Sequence, residues 1–117
     1  MKVYISGPIT GTNDYLERFE KAEQYLRQQG CEVINPAKIT EPLPESTTWE
    51  EYMKTAIVLL EQCEMVFMLR NWQKSKGAVI EQEHASNLGI HTIYEKEAMY
   101  EQNKESNRLY TQRTKTD

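Results

Sequence analysis

Four short runs rich in β-branched and aromatic residues, "KVYIS", "CEVINP", "MVFML" and "HTIY", recur along the chain, with helix-forming sequence in each interval. Strands separated by helices do not pair as hairpins; they lie parallel, and the helices form the crossovers between them. Such a βαβαβαβ order requires helices on both faces of the sheet. With 117 residues there is material for one modest core and so for one domain. The expectation is a single three-layer α/β/α domain, a doubly wound, mainly parallel sheet of four or five strands of flavodoxin- or Rossmann-like type. It spans residues 1–95, and a polar helix or tail follows over 96–117.

The punctuation between these runs is consistent with that order. "GPITGTND" supplies glycines, a proline and capping residues for a strand-to-helix loop. "YLERFEKAEQYLRQQG" then places Leu16, Phe19, Ala22, Tyr25 and Leu26 on one face and stops at Gly30. Residues 37–48 read as a proline-containing loop. Thr48 predicts an N-cap with Glu51 as its capping-box partner, and the helix that follows puts Trp49, Met53, Ala56 and Leu60 on one face. A further helix is expected over 75–88, with Gly89 as its stop.

Composition narrows the classes of function. A net charge of −4 opposes a broad phosphate-binding surface for duplex nucleic acid but leaves room for a small pocket of positive potential. Cys31 and Cys63 lack zinc-site spacing and read as free thiols of a reducing cytosol, which predicts a cytoplasmic protein. "MKVYISGP" has no long apolar segment, so neither a secretory signal nor a membrane span is expected. No metal cluster and no cofactor motif is present.

Glu81 is the residue out of place. At about 100° per residue, Ala78, Glu81, Ala85 and Leu88 share one narrow stripe, whereas Glu83 points to the polar side. A buried carboxylate is costly unless paired or functional, and burial raises its pKa. Either that end of the stripe is exposed, or Glu81 pairs with an Arg or Lys, or it serves a site. Just before it, Ser75, Lys76 and Gly77 occupy a helix start, where free N–H groups and the helix dipole favour an anion.

In parallel sheets of this kind ligands bind at the carboxyl ends of the strands. "SGPITG" ends the first strand there, with Gly7 and Gly11 permitting close approach and Ser6 and Thr10 offering hydroxyls. It is neither a Walker loop nor a dinucleotide fingerprint, and reads equally as a tight turn. Tyr4, Trp49, Tyr52 and Trp72 are available to stack on a nucleobase. Trp72, in a loop at the strand ends, is the best placed, while Trp49 and Tyr52 are expected in the core.

These residues together resemble the nucleoside 2-deoxyribosyltransferase-like superfamily, in particular its small bacterial and phage branch. The likeness runs from residue 2 to about 95, through "VYISGPITG", "F..AE..L...G..V.NP", "W..YM" and "CEMVFML..W..S.GA..E...A...GI". It implies that Glu81 is a nucleophile attacking the anomeric carbon of a nucleoside or its 5′-monophosphate, forming a glutamyl-sugar intermediate resolved by a base or by water. By the same likeness Ser75 and Gly77 hold a 5′-phosphate. Ser6, Gly7, Pro8, Thr10 and Gly11 line the sugar and phosphate, and Asn71 and Trp72 border the substrate. It further implies a homo-oligomer. One position departs from the pattern: where relatives often carry an aspartate that orients the nucleophile or protonates the departing base, this chain has Ala56. Glu64, Glu83, Asn71 or a partner subunit's residue would have to take that role. Failing that, the chain would be a slow enzyme, an enzyme for a different substrate, or a nucleotide-binding protein that senses or sequesters its ligand in the same pocket without turnover.

Overall fold

A computed structural model describes residues 1–95; the helix or tail expected over 96–117 lies outside the described residues. Four strands, β1 (Lys2–Ser6), β2 (Glu32–Ile34), β3 (Met65–Met68) and β4 (His91–Tyr94), form one parallel sheet in the order β2-β1-β3-β4. Val3 pairs with Val33 on one side and Met65 on the other, so β1 is central and covered on both faces. That explains its unbroken apolar run, since only a strand buried on both faces dispenses with polar alternation.

The period of two along the strand sorts its side chains between the two helical layers. Val3 and Ile5 join Phe67 and Leu69 beneath helix α1 (Tyr15–Gln28), where Phe19, Ala22 and Leu26 complete that cluster. Tyr4 faces the other way with Val66 and Met68. There it meets Ala56 and Leu60 of helix α3 (Trp49–Glu61) and Ala78 and Ala85 of helix α4 (Lys76–Asn87). The layers are therefore helix, sheet, helix, as the alternation of elements predicts.

The departures from the sequence reading are local. A short helix α2 (Pro36–Thr40) stands where a loop was expected. Asn35 caps it by accepting from the Ala37 N–H, and Pro36 fills the first helical position, where a missing N–H costs nothing. Residues Trp72–Lys74 form a 3₁₀ turn, entered through Asn71 at φ 67°. Leu16 and Leu88, both assigned to buried stripes, are exposed. Leu16 lies in the first turn of α1, ahead of the buried stretch that begins at Phe19, and Leu88 is the C-cap of α4, past its last helical turn.

One further buried carboxylate belongs to the scaffold. Glu23 of α1 accepts hydrogen bonds from Arg27 at 2.8 Å and from Asn35 at 3.0 Å, and pairs with Lys38 at 3.2 Å. Burial alone would raise its pKa; these partners outweigh burial and hold it below the usual carboxylate value. The network fixes α2 against α1 at the carboxyl end of β2.

Gly7 tests the close packing at the end of β1. A Cβ placed there would lie 2.8 Å from both Cβ and Cδ1 of Leu69, inside van der Waals contact. Gly7→Ala is therefore expected to destabilise the fold by about 1–3 kcal/mol, the usual cost of overpacking a core. Urea denaturation of the two proteins measures it, and an unchanged midpoint would contradict the packing described.

Candidate active site

The chain leaves β1 toward β2 on one side and returns through β3 to β4 on the other. The crevice at the carboxyl ends of β1 and β3 is thus the switch point at which ligands bind in open α/β sheets. A cavity of about 640 Å³ opens there. Gly7, Ile9 and Thr10 of the loop after β1 form one side. Thr47, Thr48, Trp49, Tyr52 and Met53, at the start of α3, form another. Lys74 to Ala78, at the start of α4, and Glu81, one turn further on, complete it.

Glu81 is only 6% exposed. Its Oε1 accepts a hydrogen bond from the Ser6 hydroxyl at 2.8 Å, and its Oε2 accepts one from the Tyr4 hydroxyl. Both donors come from β1 two residues apart, so the strand's period of two aims them at the same helical layer. Each carboxylate oxygen has two lone pairs, so one on each remains beyond these hydrogen bonds. Burial pushes the Glu81 pKa up to about 7, and the Tyr4 and Ser6 hydrogen bonds pull it down from a still higher value. Tyr4 is itself raised well above the ordinary tyrosine value, first by burial and then by the charge of Glu81, so its hydroxyl stays a donor. A value near neutrality is the range in which a carboxylate can serve as base or as nucleophile.

The start of α4 has the opposite polarity. Ser75 caps the helix by accepting from the Ala78 N–H at 3.1 Å, which leaves its own hydroxyl proton for a ligand. Lys74 and Lys76 add two positive charges, and the Lys76 ammonium sits 4.7 Å from the Trp49 ring centroid. Gly77 has a packing role as well, since a Cβ there would approach Met53 Sδ to 3.1 Å. An anion-friendly rim thus faces a hydrogen-bonded carboxylate across one cavity, in a chain whose net charge is −4.

Of the residues singled out in the sequence, Glu81, Gly7, Thr10, Ser75 and Gly77 line this cavity, and Ser6 lies behind Glu81 as its donor. Pro8 is buried and Gly11 is exposed at φ 80°; neither is among the lining residues. Asn71 and Trp72 line a different cavity of about 630 Å³, together with Tyr94, whose ring centroid is 6.0 Å from that of Trp72. The stacking role expected of Tyr4 is corrected: its ring is buried and its hydroxyl serves Glu81. Trp49 and Tyr52, expected in the core, line the cavity instead, because α3 begins at its rim. The period of the first strand was the available signal for the Tyr4–Ser6 pair.

The groups considered as substitutes for an aspartate at position 56 lie elsewhere. Ala56 is buried in the core. Glu64 is exposed at the opposite end of the sheet, within 3.5 Å of the Lys2 N–H, and Glu83 is exposed on the outer side of α4. The remaining candidates for chemistry are ordinary. Cys63 is buried, with its thiol pushed up to about 11 by that burial, so it is no thiolate nucleophile. His84 lies 3.3 Å from Glu61 on the surface. No group of three or more potential metal ligands occurs among the described residues, and no helix among them is long and apolar enough to cross a membrane.

Residues 1–94 match the family described as "Domain of unknown function (DUF4406)". The chain belongs to that family. Its fold is nucleoside 2-deoxyribosyltransferase-like: the DUF4406 chain superposes on the solved 2-deoxyribosyltransferase of the psychrotolerant bacterium Bacillus psychrosaccharolyticus with a TM-score of 0.65. The two are 23% identical, over 80% of this chain and 71% of the enzyme. That enzyme is described as a biocatalyst for the synthesis of antiviral and antitumoral nucleosides. No curated protein matches the DUF4406 chain.

The raised pKa of Glu81 has a consequence for stability. Its folded value of about 7 exceeds the ordinary 4.5, so the folded state binds the extra proton more tightly than the unfolded state. The associated stability is fully present below pH 4.5 and is lost as pH rises toward about 7. At 1.36 kcal/mol per unit, that displacement is worth about 3 kcal/mol. Glu81→Gln, which keeps the shape and cannot ionise, is expected to be more stable than the wild type at pH 8 and to lose most of that advantage near pH 5. Denaturant melts at the two pH values check this; a variant less stable than wild type at pH 8 would contradict it.

Proposed function

We propose that this protein cleaves or exchanges the N-glycosidic bond of a nucleoside or nucleoside 5′-monophosphate through a glutamyl-sugar intermediate on Glu81. The observation that carries the reading is a nearly buried carboxylate, held by two hydroxyl donors, at the switch point of the sheet and inside a nucleotide-sized cavity. Similarity in fold to a 2-deoxyribosyltransferase supports the same substrate class.

A free lone pair of the Glu81 carboxylate attacks C1′, the C1′–N bond breaks, and its electron pair leaves with the base, which takes up a proton. Charge at the reacting carbon passes through an oxocarbenium-like state that the carboxylate stabilises. A second base nitrogen or a water then attacks C1′ from the opposite side, loses its proton, and returns the bonding pair to Glu81. Tyr4 and Ser6 fix the carboxylate for the first step and stabilise it as the leaving group of the second. Lys74, Lys76, the Ser75 hydroxyl and the backbone at Gly77 form the anion-binding side, suited to a 5′-phosphate.

A second reading, a protein that binds the nucleotide without turning it over, draws on Ala56. Among the described residues Glu81 is the only carboxylate lining the cavity, so no second carboxyl is at hand to protonate the base. General acid assistance is commonly worth about 10²–10⁴ in rate. Nucleotide binding with no base release from any substrate would favour this reading.

Incubation with a panel of deoxy- and ribonucleosides and their 5′-monophosphates, followed by chromatography for free base, separates the two. The expected result is base release that Glu81→Gln lowers by about 10³-fold or more, as for other covalent nucleophiles. The rate should rise with pH through about 7 as Glu81 ionises. Tyr4→Phe removes a donor to the carboxylate, so this rise should move to higher pH; a profile left in place would show that Tyr4 does not tune Glu81.

A further inference from the structure

The cavity is lined by donors at Lys74, Ser75 and Lys76, by the Glu81 carboxylate, by the hydroxyls of Thr10, Thr47 and Thr48, which can donate or accept, and by the Tyr52 phenol. Lys74, Lys76 and Ser75 present donors, which suit a phosphate because a phosphate oxygen can only accept. A pentose hydroxyl can donate as well as accept, so a group fixed as an acceptor distinguishes it from a phosphate oxygen. Tyr52 lines the cavity from α3, one turn before the buried Ala56.

The state of the Tyr52 hydroxyl follows from counting protons. Thr40, buried at the end of α2, has its Oγ1 at 2.7 Å from the Pro36 carbonyl oxygen and at 2.9 Å from the Tyr52 hydroxyl oxygen. Thr40 has one hydroxyl proton, and a carbonyl has none to give. The shorter contact, to the carbonyl four residues back in its own helix, therefore takes the Thr40 proton. The contact with Tyr52 must then be made by the phenol proton, donated to Thr40 Oγ1. Burial raises the Tyr52 pKa, which keeps that proton in place at neutral pH. With its proton directed to Thr40, the Tyr52 oxygen can only accept.

Resting on the reading of Glu81 as the group that meets C1′, we infer that Tyr52 is a specificity residue that accepts a hydrogen bond from a hydroxyl of the substrate pentose. Thr40 holds it in that state. The arrangement reaches back through the fold, because α2 is placed by Asn35, whose side chain caps it at Ala37 and donates to Glu23 of α1. The hydroxyls at C2′ and C3′ share this chemistry, and the substrate series below tells them apart.

The experiment compares ribo-, 2′-deoxy-, 3′-deoxy- and 2′,3′-dideoxynucleoside 5′-monophosphates of one base. It measures kcat/KM for the wild type, Tyr52→Phe and Thr40→Val, and binding by equilibrium dialysis in Glu81→Gln with and without Tyr52→Phe. Relative to Tyr52→Phe, the wild type is expected to lose about tenfold in kcat/KM when the hydroxyl that Tyr52 reads is removed, the value of one neutral hydrogen bond, since comparing the two proteins cancels the intrinsic effect of that hydroxyl on the glycosidic bond. In equilibrium dialysis with Glu81→Gln, where no bond is cleaved, adding Tyr52→Phe should make the same pair of ligands bind nearly alike. Thr40→Val, which frees the phenol proton, should reduce the discrimination. A general loss of folding would lower all four rates together and leave their ratios unchanged. Cleavage or binding with the full discrimination retained in Tyr52→Phe overturns the assignment of Tyr52 alone. No cleavage by the wild type and no binding by Glu81→Gln overturns it together with the reading of the site.

Discussion

The structure around the site depends on one carboxylate kept out of water. Glu81 is tolerated in the interior because β1 delivers two hydroxyls, Tyr4 and Ser6, to its two oxygens. An unpartnered carboxylate at that depth would take up a proton or disrupt the packing. Two hydroxyls lower the cost without neutralising the charge as an Arg or Lys would, and the residual cost appears as a pKa near neutrality. The cost falls on stability as pH rises toward about 7, a trade of the kind common at functional sites.

The remaining parts of the fold set up that meeting. A central parallel strand has to be apolar on both faces, and among its fully buried residues β1 departs from this rule only at Tyr4 and Ser6, both directed to the α3–α4 layer. Helix α4 brings Glu81 to them with small residues on either side, Ala78 and Ala85, which let the helix lie close to the sheet. Gly7 lets the loop after β1 pass against Leu69, and Gly77 lets α4 begin against Met53. The glycines that suggested close approach of a ligand thus also permit close approach of protein to protein.

Much of this was legible in the sequence. The order of elements followed from apolar runs and stop signals, and the capping box of α3 is present at Thr48 and Glu51 as the spacing predicts. Glu81 stood out as a carboxylate in an apolar stripe. The partner of that carboxylate was harder to read, because Tyr4 in an apolar strand looks like core or a stacking ring until its side of the sheet is known. Helix α2 was missed because five residues give no periodic signal, although Asn35 and Pro36 are a recognisable start. Trp72 illustrates the limit of reading position from loops. It follows β3 at the correct end of the sheet, but the 3₁₀ turn sets it against Tyr94, and it is not among the residues that line the cavity at Glu81.

Trapping the intermediate tests the central claim most directly. The protein is mixed with a 2′-deoxynucleoside 5′-monophosphate, quenched rapidly in acid, digested and examined by peptide mass spectrometry. The account predicts a sugar-phosphate adduct on the peptide that contains Glu81, located at that residue by fragmentation and absent from Glu81→Gln. Base release with no adduct on Glu81, or with an adduct on another residue, would contradict it.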